Sequence, residues 1–203
     1  MRLARKAGRI LPADLKFMQL EDSLNKVNER AADASGLVMR LALRFGVGAG
    51  LVCAAWLLFL QWSGNNPFSP KQIMGLLVVP FVAAGSQWFL RYKLAPMRPG
   101  VGRALAVGGL TVLLAASMAA ASVWALAHAV GEQELARNRN ELIEITKVQQ
   151  RLRPKEKRNA EFEKQELAQA AALSINDLAR GTFTWTILLG LLMVVPSGLF
   201  LRK

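Results

Sequence analysis

The chain of 203 residues has one cysteine and one histidine. A single thiol, Cys53, excludes an intramolecular disulfide, and cysteine usage leaves the redox compartment unread. It sits in an apolar run, where a lone cysteine serves as a small packing residue. His128 and Glu132 share a helix face at i, i+4, half of a metal site, and no further ligands follow at matching spacing. The HExxH, GxSxG, Walker A and GxGxxG patterns are absent. With no nucleophile–base pair, no paired carboxylates and no ligand set, the expectation is a non-enzyme without catalytic residues, cofactor or metal.

Charge is missing where it matters most. Four runs, about 45–62, 73–90, 104–130 and 182–201, contain no Asp, Glu, Lys or Arg. Each approaches or exceeds the roughly 18–20 residues that a helix needs to cross about 30 Å of hydrocarbon. Lipid offers the backbone no water, so each run must satisfy its own N–H and C=O groups as a helix. The expected fold class is an all-α membrane protein with four transmembrane helices. Ion pumps, voltage sensors and proton-coupled carriers rely on ionisable groups inside their spans, so these mechanisms are disfavoured. The two halves of the chain do not mirror each other, which also disfavours an inverted-repeat transporter. The first apolar run begins near residue 45, too late for a cleavable signal peptide, and is expected to act as an uncleaved signal anchor.

The net charge is +12. Lys and Arg number nine in residues 1–44, one in 63–72, four in 91–103, ten in 131–181 and two at the C-terminus. The short stretch with Arg91, Lys93, Arg98 and Arg103 has no acid, which marks it as cytoplasmic by the positive-inside rule. The 63–72 turn, with Lys71 alone, then lies outside, as does 131–181, and both termini lie inside. The expected location is a bacterial inner membrane. Arg2, Arg5, Lys6 and Arg9 precede any acid and should be drawn to an anionic lipid leaflet. Nucleic acid is not an expected partner, because the basic residues near 151–158 have no interleaved aromatics.

Four regions follow from these patterns. Residues 1–44 combine the basic start with a cytoplasmic amphipathic helix on which Phe17, Leu20, Leu24, Val27, Ala31, Ala34, Val38 and Leu41 step by three and four. That is the seam of a coiled coil with a partner or second copy, or the apolar face of one helix lying on the membrane or against the protein's own body. Residues 45–130 hold the first three spans. Gly46 and Gly50 form a GxxxG pair, and Ala104/Gly108 and Ala115/Ala119 are further small-xxx-small pairs for close helix packing. Pro80 should kink the second span. Residues 131–181 carry ten basic and nine acidic residues and read as a helical hairpin. Its first arm continues span three outward with Leu135, Asn138, Leu142, Ile145, Gln149 and Leu152 on a seam. Pro154 ends that arm, and the second, with Phe162, Leu167 and Leu178, ends at Gly181. Arg151, Arg153, Lys155, Lys157 and Arg158 crowd the tip. Residues 182–203 hold span four and a basic end.

In outline this plan resembles small inner-membrane subunits of bacterial secretion or conjugation machines. The resemblance rests on shape and implies a non-enzymatic assembly or interaction subunit of an envelope complex, a homo- or hetero-oligomer with other membrane proteins. No residue is carried over from that resemblance; the residue patterns themselves give the candidate partner-binding residues as the two seams, Phe17, Leu20, Leu24 and Val27 on one and Leu135, Leu142, Ile145 and Leu152 on the other, together with the basic tip. One alternative is an oligomeric pore or holin-like permeability protein lined by Ser117 and Ser122 of span three. Another is a regulator or exclusion factor acting through the tip.

Overall fold

A computed structural model describes residues 13–95, 100–154 and 159–200, and among them it is all helical with no strand. The side chains of residues 13–20, 23 and 25–34 lie outside the described part, so Phe17, Leu20 and Val27 of the predicted N-terminal seam carry no side-chain description. Lys155, Lys157 and Arg158 of the predicted tip also lie outside it. The chain divides into two units between Leu37 and Val38. In the first, helix α1 (Ala13–Trp62) begins, and Leu24 on it is exposed. The rest of α1 and all later elements belong to the second unit.

Four helical stretches in the chain are long and apolar enough to cross a membrane: Ser35–Trp62, Pro70–Leu94, Val101–Val130 and Ile175–Phe200. This is the make-up of a multi-pass membrane protein. Leucines, valines and aromatics such as Leu51, Leu58, Phe81, Leu192 and Leu199 stay exposed on these helices, an apolar surface that a monomer in water rarely presents.

The breaks between helices have local causes. A 3-10 turn (Pro70–Gln72) leads into α2 (Ile73–Leu76), and α3 (Val78–Leu94) starts after Leu77. Pro80 lacks an N–H and crowds the carbonyl of Leu76 four residues back, so the helix yields there rather than in mid-span. Helix α4 (Val101–Val130) ends at Gly131, whose φ of +80° is costly for residues with a Cβ. The expected uninterrupted run from span three into the first arm is therefore broken, and α5 (Glu132–Leu152) starts anew. Arg153 is extended, as a residue before proline prefers, and α5 stops ahead of Pro154.

Helix α6 (Ala160–Ala171) is capped by Asn159, whose carboxamide oxygen accepts from Glu161 N at 3.0 Å. The last helix, α7 (Ile175–Phe200), begins at a capping box. Ser174 N donates to Asp177 Oδ2 at 3.0 Å, and Asp177 N donates back to Ser174 Oγ at 3.2 Å. The arm expected to end at Gly181 instead breaks at residues 172–174, and α7 runs through Gly181 without interruption.

The core of the second unit lies along α4. Val112, Ala115 and Ala119 of α4 pack with Ala49 and Cys53 of α1, Leu76 of α2, Val79 and Ala83 of α3 and Val194 of α7. Glycines set the closest approaches. A Cβ on Gly46 would lie 2.7 Å from Leu114 Cβ, and one on Gly50 would lie 2.6 Å from Met118 Cβ, so α1 and α4 meet through the GxxxG pair. A second cluster of Leu57, Phe68, Val123 and Ala127 closes the bundle towards the 63–70 turn.

Candidate partner-binding surface

Beyond the second cluster, the 63–70 turn is fastened to α5 by one amide. Asn66 is buried, and its Nδ2 donates to Asn138 Oδ1 at 3.1 Å and to Glu141 Oε2 at 2.9 Å. Its own carbonyl oxygen accepts from Phe68 N at 2.9 Å, which shapes the turn. Gln72 Nε2 donates to Thr182 Oγ1 at 3.0 Å and ties the start of the second span to α7. Arg139 reaches from α5 to the Leu173 carbonyl at 2.8 Å while pairing with Glu132 at 2.6 Å. The bonds of Asn66, and of Arg139 to Leu173, hold α5 at the end of the bundle.

At its far end α5 packs against α6. Gln150 is buried and donates through Nε2 to the Glu163 carbonyl at 2.9 Å and to Glu166 Oε2 at 3.1 Å. Arg153 pairs with Glu166 at 2.6 Å and lies 5.6 Å from the centre of the Phe162 ring. Hydrogen bonds from Arg153 first, and from Gln150 next, hold the Glu166 carboxyl below its usual value.

The two arms thus meet within one chain, on a face that only partly matches the predicted seam. Leu135 and Asn138 are buried and Leu142 is half-buried, as a seam requires. After Leu142 the inner face passes to Thr146 and Gln150, Gln149 lines the open groove between α5 and α6, and Ile145 and Leu152 are exposed. Ile145, Val148 and Leu152 form an exposed stripe at spacings of three and four, with Leu152 78 % exposed. Of the predicted tip, Arg151 is exposed and Arg153 is held by Glu166.

The remaining predicted residues belong to the bundle. Ala115 and Ala119 are fully buried, and Gly108 faces Gln87 of α3. Ser117 and Ser122 donate back to the carbonyls of Leu113 and Met118, four residues earlier on α4. His128 bonds the Trp124 carbonyl at 2.8 Å rather than Glu132, and its ring centre lies 4.0 Å from that of Trp124. Among the described residues no group of three or more His, Cys, Asp or Glu could hold a metal ion.

Sequence reasoning missed Gln87. It is fully buried inside the bundle, donates through Nε2 to the Val194 carbonyl at 3.1 Å, and accepts from Ser197 Oγ. Ser86 and Thr111 continue this polar cluster, with Thr111 Oγ1 3.2 Å from Ser86 Oγ. The available signal was Gln87 itself, the one carboxamide in the 73–90 run.

Residues 44–203 match the family described as "Protein of unknown function (DUF4199)", and the chain belongs to that family. No curated protein and no solved structure matches the chain.

Proposed function

We propose that this DUF4199-family chain is a non-enzymatic assembly subunit that joins a different membrane protein through the outer face of α5. In this reading it sits in a bacterial inner membrane with both termini cytoplasmic and with α5 and α6 outside. The observation that carries the reading is the exposed stripe of Ile145, Val148 and Leu152 in a segment otherwise dominated by charge. Spacings of three and four make a narrow apolar strip suited to one partner helix. Glu144, Lys147 and Arg151 flank it as a polar rim of mixed sign. Two copies related by an axis normal to one membrane would set Arg151 beside Arg151, so charge favours a different subunit over a second copy.

The test is extraction in mild detergent, sizing and identification of what co-migrates. Wild type should run in an assembly with defined partners, and Ile145→Asp and Leu152→Asp should each weaken association by about 2 kcal/mol or more while inserting normally. Unchanged association in both variants removes α5 as the interface. A small homo-oligomer running alone returns the pore alternative to the front, with bilayer conductance altered by Ser122→Trp as its test.

A further inference from the structure

The C-terminal ends of α3 and α7 border an open groove of about 580 Å³ that the assembly reading does not use. Both helices enter the bundle near the 63–70 turn and leave at the opposite end, so they run parallel here. Ala84, Gly85 and Pro196 line it together with Trp88 and Phe200, which are 62 % and 80 % exposed. Space at Gly85 is open, since a Cβ there would meet nothing within 4 Å. The hydroxyl at the groove, Ser197, is engaged with the Met193 carbonyl at 2.6 Å and with Gln87, which leaves the walls apolar.

We infer that this groove binds a phospholipid with an anionic headgroup, one acyl chain lying between α3 and α7. The groove lies on membrane-crossing helices, so its occupant is an acyl chain or another helix. A second helix needs small residues on both sides to bring backbones together. Trp88 and Phe200 are bulky and exposed at the groove and oppose the close approach of a second backbone, which a thin, flexible acyl chain does not need.

The headgroup class follows from charge. Arg91 lies seven residues after Ala84 and three after Trp88, on the same face of α3, whereas Lys93 in that last turn points away from the groove and lies 5.6 Å from the centre of the Phe89 ring. The sequence has no Asp or Glu between Asp33 and Glu132, and none after Asp177, so no acidic side chain of α3, α4 or this end of α7 opposes an anion. Trp88 and Tyr92 are both exposed here, as expected of an interfacial belt.

The experiment is native mass spectrometry of the full chain in mild detergent, offered phosphatidylglycerol or phosphatidylcholine with identical chains. One phosphatidylglycerol should be retained, with a preference on the order of tenfold over phosphatidylcholine. Gly85→Leu, which fills the open space, should lower its retention about tenfold without changing thermal unfolding. Arg91→Gln should abolish the headgroup preference. Equal retention of the two lipids, undiminished retention in Gly85→Leu, or a dimer that Gly85→Leu breaks would each overturn the inference. If Gly85→Leu fails to fold, Phe200→Ala, altered on an exposed side chain, must show the loss, and unchanged retention there overturns the inference equally.

Discussion

Gly108 and Gly109 are neighbours on α4, yet a methyl group added to each meets different surroundings. At Gly108 it would press on Gln87 Nε2 and come 3.1 Å from Val194 Cγ1, whereas at Gly109 it meets nothing within 4 Å. Gln87 cannot swing aside freely, because its two amide ends are engaged by the Val194 carbonyl and by Ser197. Gly108→Ala should therefore cost about 1–3 kcal/mol, as overpacking does. Gly109→Ala should be neutral or gain up to about 1 kcal/mol from helix propensity. Unfolding of both variants in one detergent measures the difference, and equal shifts would mean that Gln87 is not pinned. The small-residue spacing made Gly108 legible as a packing residue in the sequence. What it packs against was not, because one amide in an apolar run has no period and its main partner is a backbone carbonyl, which no residue type announces.

Between elements, α5 and α6 show where periodicity stops being informative. The heptad reading placed Leu135, Asn138 and Leu142 inward, where they lie, and then carried Ile145 and Leu152 inward as well. A straight helix of 3.6 residues per turn drifts away from a 3.5-residue seam. Here the drift is fixed by a polar residue: Gln150 turns in to bond Glu163 and Glu166, which sends Leu152 outward. The Arg153–Glu166 pair at the same place makes this packing sensitive to pH. Glu166 titrates below its ordinary value of 4.5 when folded, so over that interval the unfolded form binds more protons. Its stabilising contribution is complete above about 4.5 and is lost as pH falls through the lower folded value. Hydrogen exchange of α6 amides, corrected for intrinsic rates, should show protection falling between pH 6 and pH 3. Glu166→Gln should remove the part of that fall due to this carboxylate; an identical fall in wild type and variant would mean the pair does not hold α6.

For the molecule as a whole, four spans were legible because hydrocarbon allows the backbone no other structure, so apolar length alone identified them. The ends of helices were less legible, since Gly131 and the Ser174–Asp177 box act through local geometry on a scale of one turn. Orientation depends on a third property, charge asymmetry, and can be tested with the chain's own chemistry. Cys53 is 2 % exposed inside the bundle, so a membrane-impermeant thiol reagent should leave the native chain unlabelled. Gln133 on α5 and Gly100 before α4 are both exposed, on opposite sides of the third span. If the proposed orientation holds, Gln133→Cys should be labelled while the membrane that holds the chain is intact, and Gly100→Cys only after that membrane is opened. The basis is the stretch of Arg91, Lys93, Arg98 and Arg103 with no acid, set against the single Lys71 of the other short connection. The reverse labelling would place the α5 stripe in the cytoplasm and turn the search for its partner to that side. It would also put the α3–α7 groove in the outer leaflet, where its anionic headgroup preference would have to be met by the lipids found there.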